Sequence, residues 1–201
     1  MSGLALAETP VPAPAAIVPV ADGQPTAYTR YAPGESIANT RPGDIVLVRG
    51  EGWLGKAIRV FVRMRCRKRA DRPFAHWSHA AIIVSSGGYL VEVVHTGVVL
   101  SSLEKYRSQE YHYVHLNLSS ADRTSVAQYA HSCLRQNYGR WSFFLLALAV
   151  LTGDRFEVPD RGQQGCVALI ARALQRAGVT FARRPADMTP ADLAKQFGVR
   201  P

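Results

Sequence analysis

The segment Trp77–Leu100, WSHAAIIVSSGGYLVEVVHTGVVL, decides how the rest of the chain is read. Its two halves are rich in β-branched and aromatic residues, and Ser85–Gly88 between them holds the glycines that a tight turn needs. We read them as two antiparallel strands. With a symmetric turn, His79 lies opposite Val94 and Ala81 opposite Glu92. His79 and Glu92 then share a face as diagonal neighbours within side-chain reach, and His95 points to the other face. A slip of one residue would reverse that choice.

Working outward, Pro42-Gly43-Asp44 reads as a turn ahead of a short strand, Ile45–Val48. In GWLGKAIRVFVRMRCRKR the residues Trp53, Leu54, Ala57, Ile58, Phe61 and Val62 recur at helical spacing, which predicts an amphipathic helix. Tyr111–Leu118 alternates as a further strand. Ser119, Ser120 and Asp122 offer caps to a helix whose inner face is Val126, Tyr129, Ala130, Cys133 and Leu134. The apolar run Trp141–Leu151 reads as a buried helix, too short to cross a bilayer. Several strands between helices, with no regular βαβ alternation, predict an α+β domain over residues 39–201. Residues 1–38, with prolines among alanines and small polar residues, read as a flexible tail.

The chain has 201 residues, 47% of them hydrophobic, enough for one sizeable core. Three cysteines, Cys66, Cys133 and Cys166, form no spaced framework, which argues against a disulfide scaffold or a zinc ribbon and fits a reducing compartment. The N-terminus lacks the basic start of a secretory signal, so the expected location is the cytoplasm, although a dedicated secretion route would leave the same sequence.

The formal net charge is +9. Lys56, Arg59, Arg63, Arg65, Arg67, Lys68, Arg69 and Arg72 fall in one stretch opposed only by Glu51 and Asp71. Such a cluster attracts phosphate, anionic lipid or an acidic polymer; the alternative is a solvated helix face. Aromatics do not interleave with these cations, which disfavours nucleic acid.

The stretch RGQQGCVALIARALQRAGVTF, Arg161–Phe181, carries the chemistry. A helix starts at Cys166, turns Leu169, Ile170, Ala173, Leu174 and Ala177 inward, and stops at Gly178. A cysteine at a helix start meets unpaired N–H groups and the positive end of the dipole, which favour the thiolate. The same N–H groups could hold an oxyanion, and Gly162 and Gly165 let backbone approach a substrate. Against this, free cysteine is usually buried and inert. A nucleophilic cysteine needs a histidine, and the hairpin singles out His79 with Glu92 behind it. His76 and His79, like His112 and His115, form H-x-x-H, but in strand-like sequence such pairs face opposite ways, so no metal site is expected. His112, His115 and His131 read as hydrogen-bonded structural residues.

The order of histidine strand, acidic strand and cysteine at a helix start resembles the circularly permuted papain-like hydrolases of the NlpC-related superfamily. Within it the nearest pattern is the YiiX-like group, which is similar to lecithin:retinol acyltransferase-like enzymes. The pieces that carry the resemblance are PGDIVLVRG, WSHAAIIV, YLVEVVHTGVVLSSLEKY, GCVALIARALQRAGV and MTPADLAKQF. It implies a small antiparallel sheet or half-barrel packed against helices, with the nucleophile at a helix N-terminus. Cys166 would be the nucleophile, His79 the base and then the acid, and Glu92 the group that fixes the imidazole. The first choice of oxyanion donor is the Cys166 N–H, with a Gln163 or Gln164 side chain as the alternative and Gly165 beside them on the substrate side. The family often has a small hydroxyl residue directly after the cysteine, where Val167 stands here.

The implied activity is cleavage of an amide, a cell-wall peptide or a similar small amide, through a thioester and without a cofactor. Two other readings stand beside it. One is a lipid acyl hydrolase or acyltransferase resting on anionic headgroups through Lys56, Arg59, Arg63 and Arg67; the other is a catalytically idle binding module of the same fold.

Overall fold

The computed structural model describes residues 27–37, 39–66, 68–94, 96–135 and 165–201. Its centre is a six-stranded sheet in the order β1-β6-β2-β3-β4-β5, antiparallel throughout. The strands are β1 (Tyr28–Tyr31), β2 (Ile45–Val48), β3 (His79–Ile83), β4 (Tyr89–Val94), β5 (Gly97–Ser102) and β6 (Tyr111–Val114). The helices are α1 (Trp53–Arg65), α2 (Ser120–Ser132), α3 (Cys166–Gln175) and α4 (Pro190–Gln196), with 3₁₀ turns at Arg69–His76, Leu103–Tyr106 and Pro185–Asp187. The architecture is mixed α+β.

Three sequence expectations are corrected. Tyr28–Tyr31 fall within the expected tail but form edge strand β1 on β6, where Tyr28 stacks on His112 and Tyr31 on Tyr111. Tyr89–Leu100 is a hairpin and not one strand, because Gly97 sits at φ +123°, a turn conformation open to glycine. The strand at Tyr111 ends at Val114. The expected helix Trp141–Leu151 lies outside the described residues.

The period-two alternation of the strands divides the core. Ile45, Leu47, Ala80, Ile82, Val91 and Val93 face α2, α3 and α4. Val46, Val48, Ala81, Ile83 and Leu90 face Leu103, Tyr106, Tyr111 and Tyr113. Helix α3 is buried almost all round, from Val167 to Ala171 and again at Ala173 and Leu174. Each fully buried Leu or Ile there contributes about 1.5–3 kcal/mol relative to an exposed one. Gly178, at φ +76°, ends the helix, and the Val179 N–H returns to the Leu174 carbonyl at 3.1 Å.

Asp44 explains the turn before β2. Its buried carboxylate accepts from the Tyr113 hydroxyl at 2.8 Å, the Leu116 N–H at 2.9 Å and Arg123 at 2.9 Å. Arg123 also reaches the Pro42 carbonyl at 2.7 Å, so one buried ion pair fastens α2 to the root of the sheet. Removing either partner would strand the other charge, at a cost of about 3–5 kcal/mol.

Candidate active site

The pairing of β3 with β4 sets Ile82 opposite Val91 and Ile83 opposite Leu90. This is the register of a symmetric Ser85–Gly88 turn, and it carries His79 and Glu92 to the same face of the sheet. His79 Nε2 donates to Glu92 Oε2 at 2.9 Å. The ring has two nitrogens, so this contact leaves Nδ1 for the other partner, the Cys166 thiol, with which His79 is hydrogen-bonded.

Cys166 reaches that ring from the far side of the sheet. Its helix packs against β3, and the sulfur accepts from the backbone N–H groups of Ala80 and Val167. Ala80 lies beyond the last β3–β4 pair, so its N–H is spared from the ladder at the place where the sulfur arrives. Gly165, the N-cap, gives no side-chain cap, which leaves first-turn N–H groups turned toward the sulfur. Val167 is buried in the core, and its apolar side chain suits that position.

These contacts set the charge state. Burial opposes ionisation of Cys166, but the hydrogen bond and charge of His79, with the Ala80 and Val167 N–H groups, outweigh it and hold the thiol below its usual value. Burial likewise opposes the imidazolium of His79, yet the bonds to Cys166 and Glu92 raise it to about 9. Each shift favours the charged form of its own group, so together they favour a thiolate–imidazolium pair. The site is not sealed, since the His79 side chain is 21% exposed and Cys166 is half-buried.

Glu92 is fully buried as a side chain and its two oxygens are satisfied. Besides His79, it accepts from Lys105 Nζ at 2.6 Å, from the Tyr106 hydroxyl and from Ser101. Burial would raise its pKa; the His79, Lys105, Ser101 and Tyr106 bonds overcome that and keep the carboxyl far below the ordinary range. Burial and the Glu92 charge push the Tyr106 hydroxyl up, so it remains a donor.

Sequence reasoning passed over Lys105, Tyr106, Ser101 and the Ala80 N–H. A signal existed: reading Thr96-Gly97 as a turn would have folded SSLEKY back onto the Glu92 strand. Of the other site residues expected from sequence, Gln163 and Gln164 lie outside the described residues, as does His95, which was expected on the opposite face. Gly165 is exposed, and a Cβ there would meet open space.

The remaining cysteines and histidines sit differently. Burial and the Asp71 charge push the Cys66 thiol up, and Cys133 is buried at the end of α2. His76 was read as strand but lies on a 3₁₀ turn, bonded to Glu110 at 2.9 Å. His115 bonds Thr29 at 2.8 Å. His112 departs from the hydrogen-bonded role expected of it: its buried Nδ1 has no partner, and the ring is packed between Tyr28 and Trp77. Arg59, expected at the surface, turns in to the Gly50 carbonyl, and Arg67 lies outside the described residues. Among the described residues no group of three His, Cys, Asp or Glu is placed to hold a metal ion. No helix among them is long and apolar enough to cross a membrane.

The chain matches no protein-family model and no curated protein.

Proposed function

We propose that this protein is a cysteine-dependent hydrolase that transfers an acyl group from an amide to its own Cys166 and then to water. The carrying observation is the linked set Cys166–His79–Glu92, with the thiol held down and the imidazole held up. The thiolate attacks the carbonyl carbon, and first-turn N–H groups of α3 receive the oxyanion. The C–N bond breaks as the His79 imidazolium gives its proton to the departing amine. Neutral His79 then takes a proton from water, whose hydroxide attacks the thioester; the acid leaves and the thiolate–imidazolium pair returns. Glu92 keeps the ring oriented and stabilises its charge throughout.

The fold that goes with this reading is a permuted papain-like one, in which the histidine and acid strands precede the cysteine helix. By that resemblance a cell-wall peptide, or a similar small amide, is the substrate. A second reading replaces the amide with an acyl lipid at an anionic surface. The outward Trp53, Val60 and Met64 of α1 favour it.

The test is parallel assay of wild type and Cys166→Ala against peptidoglycan fragments and phospholipids, with a mass spectrum of the trapped acyl-enzyme. A mass adduct on Cys166 is expected from one of the two. Iodoacetamide that labels Cys166 no faster than Cys66 near neutral pH would sink the reading, leaving a binding module of the same shape.

A further inference from the structure

We infer that α1 and the 3₁₀ turn that follows it form a docking surface for an anionic lipid bilayer, with lipid phosphates seated among Arg63, Arg69 and Arg72. The proposal concerns binding and stands apart from the thiol chemistry.

Helix α1 buries Val62 and half-buries Ile58 and Phe61, yet it also turns apolar side chains outward. Trp53, Val60 and Met64 are 75%, 56% and 67% exposed. Their spacing of seven and then four residues puts them in one line along the helix. A single exposed apolar side chain needs no explanation; three in a line beside cations indicate a partner.

Lys56 and Arg63 flank that line and are exposed. At the end of the helix, Arg63 on its last turn and Arg69, Arg72 and Pro73 beyond it line a shallow concavity of about 340 Å³. Among the described residues none of these three arginines forms an ion pair, whereas the neighbouring Asp71 is taken by Lys195 at 3.0 Å. Cations that are left uncompensated around a concavity suit phosphate oxygens.

The two features select the occupant together. Free phosphate or a nucleic acid would satisfy the arginines and leave Trp53, Val60 and Met64 in water. An anionic bilayer satisfies both, taking the apolar line into the headgroup–acyl boundary and the cations onto its phosphates. The placement is also suited to a surface-bound enzyme. Helix α1 leaves the sheet after Val48 and the chain returns at His79, and those two residues are paired. Docking would therefore bring the thiol end of the sheet to the lipid.

The experiment is co-sedimentation of the full chain with vesicles of phosphatidylcholine alone and of phosphatidylcholine mixed with phosphatidylglycerol, over a range of salt. Binding is expected to the mixed vesicles only, weakening as salt rises. Arg63→Gln/Arg69→Gln/Arg72→Gln should bind about a hundredfold more weakly. Trp53→Ser/Met64→Ser should lose about tenfold or more. Cys166→Ala should bind like wild type, which separates docking from catalysis. These positions are exposed, and circular dichroism checks that each variant is folded.

Absence of binding to either vesicle, or equal binding to both, overturns the proposal. So does a Trp53→Ser/Met64→Ser variant that binds as well as wild type, or arginines that take up inorganic phosphate or duplex DNA while vesicles are ignored.

Discussion

His79–Glu92 and His76–Glu110 are the same contact twice, 2.9 Å in each case, made by histidines three residues apart. Their surroundings differ. Glu92 has no exposed side-chain surface, while Glu110 is 27% exposed and shared with Arg49 at 3.1 Å. Across the ring from Glu92 stands a thiol; the ring of His76 meets the face of Trp77 edge-on at 4.9 Å. A third histidine, His112, has rings around it and no carboxylate bonded to it. Burial, followed by the charge of Arg30, lowers it to about 4. Under the proposed function, then, a His–Glu contact is not by itself a catalytic pair. Burial of the carboxylate, and a sulfur that gains from the proton on the ring, make the difference.

The sharpest way to break this comparison is at the sulfur. Cys166→Ala should abolish acyl transfer and remove the fast-alkylating thiol, leaving slow labelling of Cys66, as read by mass spectrometry of peptides. His79→Asn should lower the rate by about 10²–10⁴, the usual weight of a general acid–base group. His76→Asn should leave it near wild type; equal losses from the two would erase the distinction drawn here. Glu92→Gln keeps the shape but removes the charge behind the ring, and should cost up to about 10⁴-fold, with His79 titrating lower by NMR. Because His79 keeps its proton up to about 9, turnover should fall above that pH, where no imidazolium remains to protonate the leaving group.

Stability responses sharpen the contrast further. His112 titrates at about 4 when folded against 6.5 as a free side chain, so the unfolded chain binds the extra proton. Stability should therefore drop as pH falls from 6.5 toward 4, by about 2 kcal/mol at pH 5. Urea midpoints would show the drop, and His112→Phe should flatten it. Tyr106→Phe removes a bond to a buried charge, worth about 1.5–3 kcal/mol. Glu110→Gln, at the half-exposed pair, should cost under about 1 kcal/mol.

Much of this was legible before any coordinates. The SSGG turn fixed the register of its hairpin, because glycines at the turn and period-two alternation admit few alternatives, and so His79 and Glu92 could be placed together. The start of α3 at Cys166 and its end at Gly178 followed from local chemistry. Edge strand β1 was hidden because YTRY follows a proline-rich run and shows no apolar face; it is a strand only because β6 offers it an open edge. The Thr96-Gly97 turn was lost in a continuous apolar run, and with it went Lys105 and Tyr106.

From its sequence alone the chain determines its central strands, the start and stop of the Cys166 helix and the pairing register around His79, since these depend on neighbours a few residues apart. Tertiary structure decided which sulfur meets which ring and which carboxylate is stripped of water. It also decided that the Ala80 N–H faces Cys166 and that Arg59 turns inward. Proton affinities are set by burial and by partners within a few ångströms, and those partners come from strands and helices that are far apart in the chain.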